Sequence, residues 1–307
     1  MINDKNKALL AKLALFIVTI IWGSSFVIVK NTVDFLPVFF LLVVRFSIAF
    51  IILAIVFAKH FKKMDKTYIL HGAILGLLLF TAYAMQTFGI TDTTPGKNAF
   101  LTAIYCVIVP FLFWITDKSK PDLFNIIAAF LCIFGIGLVS IKQNLSIGAG
   151  DLMTMIGGIF YAIHIVATKR FAQGRDPVLL TIIQFAFCAL FSLISTISLE
   201  PRVTEISLNM IGGILYLSVC CTAIALLLQT VAQKYTTPSS TAIILSLESV
   251  FGVLFSVLLA NEVVNVQLAF GFVMIFLSVI ISETKLSILF HKNIQIEVTK
   301  KEEEFKF

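Results

Sequence analysis

AMQTFGITDTTP at residues 84–95 and LLQTVAQKYTTP at residues 227–238 carry Gln-Thr and then Thr-Thr-Pro at one separation, 143 positions apart. Outward from this pair, WGSSFVIVK at 22–30 sets against YAIHIVATK at 161–169, and Arg45-Phe46 falls on Gln184-Phe185, both at an offset of 139. Each match is weak alone. Four in the same order predict a duplicated half, and an internal repeat constrains architecture before any motif does.

The duplicated unit reads as membrane-embedded. Of 307 residues, 59% are apolar and 13% charged, against about half and a quarter in soluble domains. Apolar runs of about 20 residues, the length that crosses hydrocarbon, are expected over Lys12–Lys30, Leu36–Ala58, Ile69–Gly89, Asn98–Thr116 and Leu123–Ile141. A second set covers Asp151–Lys169, Val178–Ser198, Leu208–Thr230, Pro238–Ala260 and Gln267–Ser282. Only short links and tails remain, so no soluble domain is expected. The first run is longer than a signal-peptide core of about 7–15 residues and lacks a small-x-small cleavage site, so it reads as a retained helix.

Five spans per half is an odd number, so the second half enters the membrane from the opposite side. The expected fold is an all-α integral membrane protein of ten transmembrane helices in two inverted five-helix repeats, residues 11–141 and 151–283, with a charged cytoplasmic tail at 284–307. Inverted repeats are common in secondary transporters, where the substrate site lies near the midplane between them.

Charge sets the orientation. The chain has 23 Lys and Arg and a net charge of +6. With the N-terminus inside, cytoplasmic segments hold Lys5, Lys7, Lys12, Lys59, Lys62, Lys63, Lys66, Lys118, Lys120, Lys169, Arg170, Arg175, Lys234 and the tail lysines. External segments hold only Lys30, Lys97, Lys142 and Arg202. That asymmetry matches the positive-inside rule. Both termini are expected in the cytoplasm of a cell-membrane protein, and the basic loops signal topology rather than a nucleic-acid surface. Cys106, Cys132, Cys188, Cys220 and Cys221 all fall inside expected spans without metal-site spacing, so they read as small apolar residues.

The chain resembles the EamA family of the drug/metabolite transporter superfamily over roughly residues 11–283. The resemblance is carried by WGSSFVIVK, by LVVRF around Arg45, by TTPGKNAFLTAIYCVIVP ending at Pro110, and by DPVLLTIIQF, TTPSSTAIILSLESVFGVLF, the LLANE ending at Glu262, and Gly271. Ser249 stands where the family often has Pro, which predicts a straighter helix there. The resemblance implies a central cavity lined by the first four helices of each half, peripheral fifth and tenth helices, and export of amino acids and related metabolites.

Charges near the bilayer centre cost roughly 2.5–3.5 kcal/mol each by insertion scales, so they face a cavity or a partner. Arg45 and Glu248 each lie about 15 Å into a span at 1.5 Å per residue. Their repeat counterparts are Gln184 and Tyr105, so each charge occurs in only one of the two halves. Two accounts stand: the pair neutralises itself or Arg45 caps carbonyls, or Arg45 forks a substrate carboxylate while Glu248 binds a proton or an amine. His164 is the one histidine well inside a span, and a hydrogen-bonded structural role competes with titration. Trp22, Phe26, Tyr83, Tyr105 and Tyr161 carry aromatic surface in the expected cavity helices, and all but the Phe need polar partners in hydrocarbon. Gly72-x-x-x-Gly76, Gly157-Gly158 and Gly212-Gly213 read as packing positions. Glu262 and Asp34 read as solvated carboxylates at helix ends.

No catalytic set, metal-ligand pair or phosphate-cradling loop is present in the sequence, so no enzyme activity, cofactor or metal is expected. The function expected is secondary transport of a small organic solute, most simply efflux, by alternating access. Protons are the candidate coupling ion, the bilayer is the surrounding partner, and oligomeric state is open. A channel, or a receptor or lipid-handling protein, is the alternative. The repeated turns are candidate gates: Thr94-Pro95 outside and Thr237-Pro238 inside, with Gln86-Thr87 and Gln229-Thr230 near the same faces. The plainer account is two good helix starts, Thr capping and Pro at the first helical position.

Overall fold

Three helix starts are written alike: Thr94-Pro95, Asp176-Pro177 and Thr237-Pro238. In each, the first residue's side chain accepts a backbone N–H of the first turn and the proline occupies the position whose N–H has no partner. The computed structural model describes residues 4–118, 120–121, 123–140, 148–203 and 207–284. Lys142 and the charged tail beyond Thr284 lie outside them. The described residues form helices α1 (Asp4–Val33), α2 (Val38–Val56), α3 (Lys66–Thr91), α4 (Pro95–Thr102), α5 (Tyr105–Asp117), α6 (Leu123–Ser140) and α7 (Ala149–Ala172). There follow α8 (Pro177–Leu199), α9 (Leu208–Ser218), α10 (Ala225–Gln233), α11 (Pro238–Ser246), α12 (Glu248–Ala260) and α13 (Val266–Thr284). A short 3-10 helix, Ala58–Lys63, follows α2, and a π-helical stretch, Val219–Ile224, joins α9 to α10.

Helix is the answer the solvent imposes, because only intrasegment hydrogen bonds or a closed barrel satisfy a backbone in hydrocarbon. Among the described residues, joined across their internal breaks, eight segments are long and apolar enough to cross a membrane: Asn6–Val33, Val38–Val56, Lys66–Thr91, Pro95–Asp117, Ala149–Ala172, Pro177–Leu199, Met210–Gln233 and Pro238–Ala260. Two shorter apolar helices, Leu123–Leu138 and Val266–Ser278, accompany them. These two, α6 and α13, pack on each other. A Cβ on Gly135 would lie 2.9 Å from the carbonyl oxygen of Gly271, so only glycine permits this approach. The exterior is apolar, with Phe35, Ile55, Phe130 and Ile197 among the exposed side chains, while Arg45, Glu248, His164, Gln184 and Asn98 are buried. Polar groups inside and hydrocarbon outside is the arrangement of a multi-pass membrane protein.

Contacts between helix ends sort them onto two faces. On one, Lys30 Nζ donates to the carbonyls of Ile90 and Thr91 at 3.1 and 3.0 Å, closing the end of α3. The Glu200 carboxylate accepts the N–H groups of Phe39 and Phe40 at 2.7 and 2.8 Å, capping α2 where Pro37 offers no side-chain cap. On the other face, Lys169 Nζ donates to the carbonyls of Gln233 and Lys234 at 3.0 and 3.2 Å, closing α10 as Lys30 closes α3. There too His60 Nδ1 and Lys63 Nζ meet Asp176 Oδ2 at 2.8 and 2.6 Å.

Two expectations are corrected. The segment carrying Ser249 is not straight, because it breaks at Leu247 between α11 and α12 without any proline. Ser246 and Ser249 hydroxyls, on either side of the break, bond back to the carbonyls of Ile243 and Ser246, both at 2.7 Å. Among the glycine positions, Gly72, Gly76, Gly157 and Gly158 do sit against neighbouring helices, but a Cβ on Gly212 would meet nothing within 4 Å, so that glycine seats no helix.

Candidate functional site

The breaks at Ala103–Ile104 and Leu247 start α5 at Tyr105 and α12 at Glu248, residues related by the offset of 143. The structure turns them toward each other, and the Tyr105 hydroxyl donates to Glu248 Oε1 at 3.0 Å in the buried interior. Arg45, from α2, lines the same cavity. Its Nε donates to Thr222 Oγ1 at 2.8 Å, and its guanidinium carbon lies 4.8 Å from the Tyr83 ring centroid, a cation–π approach. Arg45 and Glu248 form no ion pair, so mutual neutralisation by direct contact is excluded. Each charge meets a neutral hydroxyl and keeps hydrogen-bonding capacity to spare.

Thr222 is available to Arg45 because of the π-helical stretch. Its hydroxyl donates to the carbonyl of Leu217, five residues back, at 2.8 Å, and its lone pair accepts from Arg45. The neighbouring Cys221 carbonyl accepts from Trp22 Nε1 at 2.8 Å. π-helical turns are uncommon and concentrate at functional sites. At its repeat counterpart Trp22 matches Tyr161, whose hydroxyl donates to Gln86 Oε1 at 2.9 Å. Thus Trp22 reaches into the region after α9, and Tyr161 reaches into α3.

The cavity therefore gathers Trp22, Arg45, Tyr83, Tyr105, His164 and Glu248, six of the expected binding residues, and Gln86 and Gln229 as well. The last two do not stand at the faces, as expected, but line the cavity. Gln86 also donates to Thr102 Oγ1 at 3.0 Å, tying α3 to α4. Gln184 lies behind the wall: its Oε1 accepts from His164 Nε2 at 3.0 Å, and it does not line the cavity. Asn98, which sequence reasoning passed over, does line it. Its Nδ2 donates to the Gln86 carbonyl at 3.1 Å and to Thr154 Oγ1 at 2.7 Å, leaving buried Oδ1 without a partner. A lone Asn in an apolar span was the available signal. The central void is small, about 40 Å³, room for a water or two.

The turn beginning at Asp92 is bound to its surroundings on both sides. Lys97 Nζ pairs with Asp151 Oδ2 at 2.6 Å, Thr93 Oγ1 donates to Asp151 Oδ1 at 3.0 Å, and the Gly150 N–H donates to Asp92 Oδ2 at 3.2 Å. The Glu262 carboxylate accepts from the hydroxyls of Thr94 and Ser256 and from the Gly96 N–H. Glu262 is thus a clamp between α4 and the end of α12, not a merely solvated carboxylate. The Thr237-Pro238 turn differs. Thr237 accepts the Ser240 N–H at 3.2 Å and Thr236 bonds Thr241 at 2.7 Å, and among the described residues no polar bond joins residues 234–241 to any residue before 165.

The profile of the EamA-like transporter family matches the chain twice, over residues 9–141 and 148–284. An uncharacterized transporter of Archaeoglobus fulgidus is 31% identical over 279 residues, covering 90% of this chain and 86% of its own length. A second uncharacterized transporter of that organism is 26% identical over 270 residues, covering 85% and 91%. One crystal structure superposes with a TM-score of 0.66 at 16% identity, covering 89% of this chain and 97% of that one, a likeness of fold alone. With matched segments spanning almost all of the described helices, the chain belongs to the EamA-like transporter family.

Proposed function

We propose that this membrane transporter exports small organic metabolites, amino acids or related amphipathic solutes, by alternating access, with proton movement as the coupling. The observation that carries this reading is the central cavity in which Arg45 and Glu248 share walls without pairing. Arg45 offers a planar fork to a carboxylate, and Glu248 offers an acceptor to an ammonium group or a proton. The two charges mark a solute with both polarities better than a bare ion.

Alternating access rests on symmetry between the halves. The ten apolar helices are read as two inverted five-helix repeats, 11–141 and 151–283, with both termini and the tail at the cytoplasmic face of the cell membrane. Supporting this are the doubled family match, the Lys30 and Lys169 caps at opposite faces, and the left-handed residues Lys118 and Asn261, again 143 apart. One face is held across the halves by Asp151 and Glu262, whereas among the described residues the Pro238 turn is tied only within its own half, through Lys169 and Lys234. That inequality suits a carrier caught with one gate shut, whereas a channel needs one continuous pore. Efflux as the direction follows the family resemblance.

Purified protein in proteoliposomes tests the reading by counterflow of a panel of labelled amino acids. The expected result is saturable exchange of at least one of them, abolished in Glu248→Gln. Exchange equal to empty liposomes for the whole panel would discard the amino-acid class. Flux that never saturates would favour a channel.

A further inference from the structure

A second cavity, about 510 Å³, opens at the face that carries Lys169. It lies between the start of α3, the end of α5 and the end of α7. Ile163, Ala167 and Arg170 line it, whereas Tyr161, His164 and Ile165 line the central cavity. At 100° per residue these two sets project from opposite sides of α7. The cavity is therefore not a mouth of the central site.

Its chemistry is divided. Leu112, Ile163 and Ala167 make an apolar wall, and Arg170 and Arg175 stand at the rim where the helices end. His71 also lines it, its ring stacked on Phe171 with centroids 3.9 Å apart, and its buried Nδ1 has no hydrogen-bond partner. Among the described residues neither arginine forms an ion pair. Arg175 leans over the Tyr68 ring, 5.5 Å from its centroid. Among the described residues the carboxylates of this face bond to other groups: Asp176 to His60 and Lys63, Asp65 to the N–H groups of Thr67 and Tyr68, Asp117 to the Thr116 hydroxyl. Among the described residues no carboxylate lines the cavity.

We propose that this cavity binds an anionic phospholipid, its phosphate on Arg170 and Arg175 and an acyl chain along Leu112 and Ile163. Two guanidiniums without an ion-pair partner among the described residues match a phosphate in charge and fork geometry. Basic pockets between helices at the membrane surface are suited to anionic headgroups. The apolar wall distinguishes a lipid from a free phosphate ester, because only a lipid brings a chain to cover it.

The test is titration of the full-length protein in neutral detergent with phosphatidylglycerol or phosphatidylcholine of identical chains, read by native mass spectrometry. Phosphatidylglycerol is expected to bind at least tenfold more tightly. The double variant Arg170→Gln, Arg175→Gln should lose that preference while phosphatidylcholine binding stays unchanged, and the double Lys variant should regain part of it. Ala167→Phe fills the apolar wall with both arginines intact and should weaken phosphatidylglycerol by a similar factor, which covers failure of the double variant to fold. Equal binding of the two lipids, or unchanged phosphatidylglycerol binding in either variant, overturns the proposal. So does glycerol phosphate binding as tightly as the lipid, which would make this a site for a soluble anion.

Discussion

Glu248 and Arg45 each meet a hydroxyl rather than each other, and that geometry sets what their substitution does. Glu248→Gln keeps shape and the bond from Tyr105, so insertion and folding should be normal while exchange or its pH dependence is lost. Wild-type flux with an unchanged pH profile would reduce Glu248 to a packing role. Arg45→Lys keeps the charge but loses the fork and the Nε bond to Thr222. An apparent affinity weaker by about tenfold is expected, corresponding to roughly 1.4 kcal/mol, as for one lost charge-assisted contact. Unaltered affinity in a concentration series would argue that Arg45 does not touch the solute. Away from the membrane interior, burial pushes the Asp176 carboxyl up, but hydrogen bonds from Lys63, His60 and the Val178 N–H outweigh it and hold the group below its ordinary 3.8. A lowered carboxylate contributes stability above its unfolded value and loses it as pH falls through the folded one. The melting-temperature gap between wild type and Asp176→Asn should therefore persist at pH 5 and close only below the ordinary carboxylate range. A gap that has already closed at pH 5 would contradict this.

At the scale of elements, helix contact and turn attachment carry the consequences. A Cβ on Gly76 would lie 2.6 Å from Phe187 Cβ and 2.8 Å from the Gln184 carbonyl oxygen. Gly76→Ala should force α3 and α8 apart at a cost of about 1–3 kcal/mol, seen as a lower unfolding midpoint in detergent. No change would mean the two helices have slack. Much of this level was legible in sequence. The Thr-Thr-Pro pairs located two helix starts, and offsets of 143 and 139 related Tyr105 to Glu248 and Arg45 to Gln184. What the offsets could not supply is which counterparts meet. Tyr105 and Glu248 touch because both begin a half-span beside the centre, while Gln184 is withdrawn behind His164. Thr222 was hidden because a π-helical stretch leaves no mark in an apolar run. Glu262 was misjudged because a carboxylate at a helix end looks solvated until the facing turn, here Thr94 to Gly96, is placed beside it.

For the whole molecule, the fold places the central cavity between two similar halves and, among the described residues, ties the turn at residues 92–97 across to the other half while the Pro238 turn bonds only within its own half. If those turns are gates, fastening each should expose the cavity to opposite sides, through small movements of packed helices. The direct measurement is thiol labelling of Ser25→Cys, a cavity residue, in right-side-out and inverted vesicles, with the five native cysteines replaced and a disulfide closing either turn onto a facing helix. Closure at Pro95 should leave the thiol reachable only from the Lys169 face, and closure at Pro238 only from the Lys30 face. Labelling from both sides in both cross-linked forms would contradict alternating access.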